Sequence, residues 1–454
     1  MTRRRRYLLI AGLLLAAVLV GLSWQLFRMW KPNAFDVEVV DPNLMNDVRG
    51  ANLTTPPPPA GPDWPQYRGP NRDGVASADG FNTDWEKKPP KLLWRTPLTG
   101  KYGSVAVAGG RVYVQGREGN NERLVCLNAA DGKPLWSDEY PADYRPLTTG
   151  YAEGPRGTPT VHDGRAYTVG AVGKLRCVKL NGDLRPELVW EKDLLTEYGV
   201  EMSKMAWGFA CSPLIEGDLV IVQPGGKKGA VVAFDRASGQ ERWAVGNSPG
   251  GYSSPVAGTF GGVRQVVAVT GDSVVGVGVP DGKKLWEHPW RNEPFRVNAA
   301  SPVIAGEFVF VSSEYGKGCV LLSVSGAGAR PAFFKPGNSG LKTKHSTAVH
   351  RDGYVYGSDG AVLKCMSLRD GKLLDGWDAP PGILTPTVVL VGDKLLAQSH
   401  SGVLHLIDAD PTECRVRGEL KGVVAGDSWA TPAVLNGRIY TRDGGSVLCI
   451  DASK

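Results

Sequence analysis

Cysteine and histidine are scarce in this chain, and their arrangement excludes several kinds of site. The 454 residues include seven cysteines and six histidines. The cysteine count is odd, no two cysteines are adjacent and none precedes Cys126, so the sequence predicts neither a disulfide framework nor an N-terminal cysteine that carries lipid. No pair of histidines has a metal-ligand spacing with a third ligand, and we therefore predict no metal site.

Recognisable catalytic motifs are missing as well. The sequence contains no nucleophile elbow, no phosphate-binding loop and no carboxylate pair that stands out. Gly-Gly dipeptides such as Gly225-Gly226 are typical of turns. We therefore predict no catalytic residue, and the sequence favours a binding or scaffold protein over an enzyme.

Positive charge is present, but it is not concentrated as in a nucleic-acid-binding protein. The formal net charge is +6. Residues 1–62 contain seven Lys and Arg and four acidic residues, a net of +3, which leaves only +3 for residues 63–454. The sequence therefore predicts no nucleic-acid partner.

The N-terminus has the pattern of a membrane anchor. Four arginines, Arg3 to Arg6, precede an apolar run from Tyr7 to Phe27 that is long enough to span a bilayer. Arginines in front of such a run favour a cytoplasmic N-terminus. A cleaved signal peptide is the alternative, although no small-x-small site follows the run.

A proline-rich stretch follows the apolar run, with four consecutive prolines from Pro56 to Pro59. Such a stretch favours an extended, semi-rigid spacer. The rest of the chain is then periplasmic or extracellular. We interpret the chain as a basic cytoplasmic tail (1–6), a single transmembrane anchor (7–27), a spacer (28–62) and a repeat domain (63–454).

The repeat domain is built from copies of one short pattern. Ala233 to Trp243 reads A-F-D-R-A-S-G-Q-E-R-W, and the stretches Cys126 to Trp136 and Gly276 to Trp286 place Gly and Trp at the same spacing. Another copy begins at Cys449 just before the chain ends. A small residue at the first position suits a crowded strand, the Gly makes a hairpin turn, and the Trp buries a large ring between repeats.

A second landmark, Ser or Thr usually followed by Pro, precedes each copy. A turn and a strand of alternating polarity follow it, which gives four strands per repeat, the size of a propeller blade. The landmarks are Ser104, Thr158, Ser212, Ser254, Ser301, Ser346, Thr385 and Thr431.

Eight landmarks predict an all-β, eight-bladed propeller of four-stranded blades, preceded by one transmembrane helix. The last repeat has only three strands before Lys454, whereas Lys91 to Arg95 carries an orphan strand ending in L-L-W-R. We therefore expect this N-terminal strand to complete the last blade, which removes open sheet edges.

The repeat resembles that of the pyrroloquinoline-quinone (PQQ) repeat family, whose pattern is A-x-D-x-x-[ST]-G-x-x-x-W. Asp63 to Tyr67, D-W-P-Q-Y, is also similar to the entry segment of quinoprotein dehydrogenases. The resemblance covers residues 63–454 and implies a PQQ-like propeller. The family includes quinoprotein dehydrogenases and a non-catalytic lipoprotein of the bacterial outer-membrane assembly machinery.

The resemblance does not extend to the dehydrogenase active site. Quinoprotein dehydrogenases hold the quinone under a disulfide between adjacent cysteines and use calcium bound by Glu and Asn with a nearby Asp base. This sequence has no adjacent cysteines, and the calcium set cannot be placed on matching positions. PQQ with calcium is therefore the less favoured cofactor.

The candidate binding site is the mouth of the central channel, where the loops before the innermost strands converge. Aromatic and cationic residues in these loops can hold a planar anion by stacking and charge. The alternative is that these side chains plug the channel and pair with local acids. The candidate ligand-binding residues are Arg68, Arg156, Trp207, Tyr252, Arg296, Asn298, Lys344, His345 and Trp429.

Two functions remain open at this stage. One is a membrane-anchored, non-catalytic binding or scaffold propeller with protein or peptide partners. The other is a quinone-dependent oxidoreductase that uses the aromatic and basic mouth. Asp63 to Val75 is expected to act as a structural clasp next to the closing strand, with Arg68 and Arg72 as the residues that would give it a ligand role.

Overall fold

The structure is a computed structural model that describes residues 38–454 apart from residues 59–60, 62, 101, 148–152, 294–295, 378, 381 and 427. The predicted basic tail and transmembrane anchor, residues 1–27, lie outside the described residues. In the part of the chain that is described, no helix has both the length and the apolar character needed to cross a bilayer.

Among the described residues, thirty-four strands form eight sheets, which confirms the predicted eight-bladed propeller of four-stranded blades. Within each blade the four strands are antiparallel to their neighbours, and in blades 1 to 7 they follow one another in sequence order from the innermost to the outermost. The blades comprise Ala106–Ala108, Arg111–Glu118, Asn121–Asn128 and Pro134–Pro141 (blade 1); Thr160–His162, Arg165–Val169, Lys174–Asn181 and Leu184–Asp193 (blade 2); Leu214–Glu216, Leu219–Val222, Val231–Asp235 and Glu241–Val245 (blade 3); Val256–Phe260, Val263–Val269, Ser273–Gly278 and Lys284–Pro289 (blade 4); Val303–Ala305, Phe308–Ser313, Gly318–Val324 and Ala329–Pro336 (blade 5); Val349–Arg351, Tyr354–Asp359, Val362–Ser367 and Lys372–Leu373 (blade 6); Thr387–Val391, Lys394–Gln398, Leu404–Asp408 and Val416–Leu420 (blade 7); and Ala433–Leu435, Arg438–Arg442, Ser446–Asp451 and Lys91–Pro97 (blade 8).

The eighth blade takes its outermost strand from the beginning of the domain. Lys91–Pro97 pairs antiparallel with Ser446–Asp451 and places Trp94 opposite Cys449. The predicted closing strand is therefore present, and the ring is held shut by a sheet built from both ends of the domain.

The recurring spacing of the repeat has a direct packing explanation. In five blades the small residue that begins the pattern lies opposite a Trp on the adjacent strand, as Cys177 does with Trp190 and Gly276 with Trp286. A Cβ atom on Gly276 would lie 2.1 Å from the Trp286 ring, so a larger residue does not fit. The Trp190 ring in turn covers the turn residue Gly239 of the next blade and donates to the Arg236 carbonyl at 3.2 Å. The small residue, the Gly and the Trp therefore form one inter-blade contact.

The Ser and Thr landmarks form a ring of hydrogen bonds around the channel. At five blade junctions the backbone N–H of one landmark donates to the side-chain oxygen of the next blade's landmark, at 2.8–3.0 Å. In blade 6 the acceptor is Thr347, one residue after the predicted Ser346. The bonds are Thr158 to Ser212, Ser212 to Ser254, Ser254 to Ser301, Ser301 to Thr347, and Thr431 to Ser104.

Removing one hydroxyl from this ring should destabilise the propeller. We expect Ser254→Ala to lower the free energy of unfolding by about 1–3 kcal/mol, because the buried Ser212 N–H loses its acceptor. Urea unfolding measures this change. Ser339→Ala, at an exposed position, is the matched control and should change stability by less than about 0.5 kcal/mol. Equal effects of the two substitutions would contradict the proposed role of the ring.

Part of the predicted spacer packs on the propeller. Val39–Val40 adds a fifth strand to blade 5, and the helix Pro42–Gly50, capped by Asp41, buries Leu44, Met45 and Val48 against blades 5 and 6. Residues 38–55 are thus attached along the side of the ring. The remaining helices are short: Leu194–Glu197, and the 3-10 turns Met202–Lys204 and Gly337–Ser339.

Candidate functional site at the channel mouth

The segment Asp63 to Ala76 crosses the central channel. Trp64 pairs with Val107 of blade 1, and the Pro65 carbonyl accepts from Val161 of blade 2 at 2.8 Å. At its far end, Val75–Ala76 pairs in parallel with the innermost strand of blade 7. The segment therefore joins separate blades, and its residues line two cavities: Tyr67 lines one of them, and Arg68 and Arg72 line the other.

Two arginines fix this segment to the inner strands. Arg68 donates to the carbonyls of Thr347, Ala348 and Asp73 at 2.7–2.8 Å, and Arg72 donates to the carbonyls of Ser212 and Pro213 at 2.8–2.9 Å. Both side chains are buried, and burial lowers the pKa of each guanidinium. Because the guanidinium groups of Arg68 and Arg72 bind backbone carbonyls, the clasp interpretation accounts for both residues. The structure places Arg68, which the sequence suggested as a ligand residue, outside the mouth.

Six of the nine candidate residues do come together, in a cavity of about 300 Å³ that we call the mouth pocket. Loops before the innermost strands of several blades supply them. They are Arg156, Trp207, Tyr252, Lys344, His345 and Trp429. Ligand binding by these side chains stays a prediction, but the expected aromatic and cationic composition is present.

The other two candidates have structural partners instead. Asn298 is fully buried, and its side-chain amide donates to the carbonyls of Thr270 and Trp290 while it accepts from the Ser313 hydroxyl. Arg296 lies 3.4 Å from the Asp272 carboxylate, away from the mouth pocket. The sequence placed both near the mouth but did not reveal these nearby acceptors and acids.

Trp429 is the centre of an aromatic cluster in the mouth pocket. The His345 ring stacks on it at 4.3 Å between centroids and 11° between planes. Trp429 also donates its indole N–H to Nδ1 of His400, and the Tyr102 ring lies 5.3 Å from the Trp429 ring. Trp207 and Tyr252 form a second, edge-on pair at 5.8 Å. The pocket walls are therefore largely preformed flat surfaces.

Two cationic side chains face these rings. The Arg156 guanidinium lies 4.4 Å from the Tyr102 ring centroid, and the Lys344 ammonium lies 6.0 Å from that of Tyr315. Burial, together with the charges of Lys344 and Arg156, lowers the pKa of His345 to about 3, so this ring is neutral at pH 7. Among the described residues that line the mouth pocket there is no carboxylate. The charged groups of the described lining are therefore cationic, and the carboxyl groups of Glu153 and Glu314, which do not line the pocket, interact electrostatically with Arg156 and Lys344.

Sequence reasoning missed two aromatic residues of the pocket. Tyr67, from the crossing segment, lines the pocket and contacts the Thr347 hydroxyl at 3.3 Å. Tyr315 comes from the turn between the second and third strands of blade 5. Such turns share the mouth face with the loops before the innermost strands, so this second set of loops was the signal that could have found Tyr315.

The pocket does not fit a quinone held with calcium. Calcium requires several oxygen ligands, usually including carboxylates, and the described lining residues include none. Three or more potential metal ligands do not come together anywhere in the described chain. All seven cysteines are free, so the disulfide clamp of the dehydrogenases has no counterpart.

Comparison with known proteins places the chain in a family. The sequence profile of a family described as outer membrane protein assembly factor BamB matches residues 71–187 and 147–374, which is more than half of the chain. The chain belongs to this family. The resemblance to PQQ-repeat propellers is thereby confirmed. The curated protein sequences contain no significant match.

Several solved structures share the fold of this chain. BamB from Moraxella catarrhalis is 15% identical with a TM-score of 0.57, and the match covers 80% of this chain and 99% of that one. Quinohemoprotein alcohol dehydrogenase from Comamonas testosteroni is 13% identical with a TM-score of 0.61, covering 91% and 82%. A europium-containing methanol dehydrogenase is 12% identical with a TM-score of 0.60, covering 86% and 98%. At these identities the likeness establishes the propeller fold that this family shares with enzymes and assembly factors, and not an activity.

Proposed function

We propose that this protein is a membrane-anchored, extracytoplasmic propeller that binds a partner protein and catalyses no reaction itself. The observation that carries the proposal is the mouth pocket, which has binding surfaces but lacks catalytic groups among its described residues. Aromatic rings and two cations line it, without a carboxylate. His345 is a poor general base, because burial lowers its pKa to about 3.

The serines at the base of the pocket also serve the fold. The hydroxyl oxygens of Ser104, Ser212 and Ser254 each accept a backbone N–H from the preceding blade. They are therefore positioned as ring contacts and not as nucleophiles beside a base. The membership of a family described by an outer-membrane assembly factor is consistent with a protein partner.

The proposal predicts that substitutions in the mouth abolish partner binding without unfolding the propeller. We expect Lys344→Glu to reduce the recovery of a cross-linked partner from membranes by at least about tenfold, as loss of a central interface cation does. The control is Lys283→Glu, which makes the same charge change on an exposed turn outside the pocket. Melting temperatures of both variants should stay close to that of the unmodified protein. Equal recovery with Lys344→Glu and Lys283→Glu would contradict the proposal.

The alternative function is a quinone-dependent oxidoreductase that uses the same pocket. The aromatic walls and the cations favour it, and the absence of a calcium donor set opposes it. Incubation of the protein with quinone and Ca²⁺, followed by a dye-linked dehydrogenase assay, separates the two functions. Turnover would favour the oxidoreductase, whereas the binding proposal predicts none.

A further inference from the structure

The mouth pocket also has the features of a site for one uncharged aromatic side chain. Building on the proposed function, which supplies a protein partner, we propose that a tyrosine side chain protruding from that partner binds in this pocket. In this arrangement its ring packs among the aromatic rings of the lining, and its phenol oxygen accepts a hydrogen bond from a serine hydroxyl. Three observations carry this inference: the balance of charge, the aromatic walls and a set of buried hydroxyl donors.

The charges at the pocket favour an uncharged ligand. Arg156 and Lys344 are the charged lining residues among those described. The carboxyl group of Glu153 interacts electrostatically with Arg156, and that of Glu314 interacts with Lys344, although neither carboxyl group lines the pocket. An anionic ligand would compete with these carboxyl groups, and a cationic one would meet two like charges. An uncharged side chain leaves both existing interactions in place.

The walls of the pocket suit a flat ring. Trp429 packs against His345 and Tyr102, and Trp207 packs against Tyr252. Because these contacts hold the rings in place, little side-chain entropy is lost when a ligand ring packs among them. A volume of about 300 Å³ lies at the lower end of small-ligand pockets, which are roughly 300–1,000 Å³, and this suits a single side chain. The tyrosines and tryptophans of the described lining are Tyr67, Tyr102, Trp207, Tyr252, Tyr315 and Trp429.

Three buried serines supply hydrogen-bond donors that the fold does not use. Ser104, Ser212 and Ser254 line the pocket and are at most 7% exposed. Each hydroxyl oxygen accepts one backbone N–H from the preceding blade, but no described residue accepts the proton of the hydroxyl itself. Buried hydroxyl groups ordinarily have their hydrogen bonds satisfied. A ligand with an oxygen acceptor therefore complements this part of the lining.

These requirements together select tyrosine among the large aromatic side chains. Phenylalanine has no hydrogen-bonding group, and the indole of tryptophan donates but does not accept. Tyrosine combines a flat apolar ring with a phenol oxygen that can accept, and it is uncharged at pH 7. Tyrosine is also one of the residues that most often provide the binding energy at the centre of a protein interface.

Calorimetric titration of the full-length protein in detergent tests the inference. The probe is acetyl-Gly-Tyr-Gly-amide, which carries no charge, and it is compared with the same peptide containing Phe or Trp in place of Tyr. We expect saturable binding of the Tyr peptide and at least about fivefold weaker binding of the other two, because they cannot accept the hydrogen bond. Saturating Tyr peptide should also reduce the recovery of the cross-linked partner, and the Phe peptide at the same concentration should reduce it less.

Three single substitutions separate a ligand contact from a structural role: Ser104→Ala, Ser212→Ala and Ser254→Ala. Each also removes an acceptor from the ring of landmark hydroxyls, so the informative quantity is the ratio of the affinities for the Tyr and Phe peptides. A general loss of structure weakens both peptides and leaves this ratio unchanged. At least one of the three substitutions should bring the ratio close to one. Ser301→Ala is the matched control and should preserve the ratio, because Ser301 accepts the Ser254 N–H in the same ring but is not among the lining residues.

The outcomes separate this inference from the proposed function. Equal binding of the Tyr and Phe peptides, no binding of any of the three peptides, or a preference that all three serine variants retain would overturn the tyrosine inference. If Lys344→Glu still abolished partner recovery in that case, the proposed function would stand with a different recognised feature. A Tyr peptide that binds with the expected preference but does not compete with the partner would also overturn the inference, because the site would then serve a free phenolic ligand.

Discussion

Replacing Arg68 with alanine should lower the free energy of unfolding by about 3–5 kcal/mol, the range for breaking a buried charged network. Arg68 is 2% exposed, and its guanidinium donates to three backbone carbonyls, two of them on blade 6. The substitution leaves those buried carbonyls without their donors and opens a cavity beside Gly74. It also removes the two hydrogen bonds that Arg68 makes from the crossing segment to Thr347 and Ala348 of blade 6.

Urea unfolding monitored by circular dichroism measures the effect of Arg68→Ala. Arg145→Ala is the matched control, because its side chain is 90% exposed and pairs with the exposed Asp143. The control should change stability by less than about 0.5 kcal/mol. Arg68→Met, which keeps most of the volume, should still be strongly destabilising because it cannot donate. A loss below about 1 kcal/mol for Arg68→Ala would show that the segment is not held by this residue.

Acid should destabilise the protein through two buried histidines. Burial lowers the pKa of His345 to about 3 and that of His350 to about 4. His350 Nε2 accepts a hydrogen bond from the Gly353 N–H at 3.0 Å, which a protonated ring cannot do. In the unfolded chain both rings have a pKa of about 6.5. The unfolded state therefore binds more protons below that pH, and stability is lost as the pH falls from about 6.5 toward 4.

The expected loss from His350 alone is about 3 kcal/mol by pH 4, since each pKa unit corresponds to about 1.4 kcal/mol. Unfolding free energies at several pH values between 7.5 and 4 measure it. Carboxylates titrate in every variant, so the informative quantity is the difference in unfolding free energy between the unmodified protein and His350→Gln at each pH. Because the variant lacks this titrating ring, its unfolding free energy should fall less steeply as the pH drops. His162→Gln, at an exposed strand end, should preserve the slope. A slope unchanged by His350→Gln would disprove the role of this ring.

Much of the fold was predictable because each repeat contains its own packing rule. The small residue, the turn glycine and the tryptophan recur together because they form one contact between blades, so their spacing survives in the sequence. The closing strand was predictable for the same reason, since Lys91 to Arg95 carries the tryptophan half of a contact whose other half begins at Cys449. The attachment of Pro42–Gly50 was not predictable, because a single short helix has no repeat with which to compare it.

The site was predictable only where loop position determines the environment. The loops before the innermost strands converge on the mouth, which correctly brought Trp207, Lys344 and Trp429 together. The direction of a side chain within such a loop depends on local backbone geometry. Arg68 has φ of +61° and points its guanidinium at blade 6, and Asn298 turns toward the carbonyls around it. The residue types alone do not indicate where the Arg68 and Asn298 side chains point.

The crossing segment also constrains the order in which the polypeptide can fold. Arg68 meets Thr347 across 279 residues, and Lys91 pairs with Asp451 near the other end of the chain. Contacts so distant in sequence form slowly, because a long loop must close before they contribute. During synthesis the strand Lys91–Pro97 therefore stays unpaired until its partner Ser446–Asp451 has been made. A chain that stops before blade 8 keeps that strand edge exposed, and exposed edges pair readily with other chains. Incompletely synthesised chains are therefore expected to aggregate.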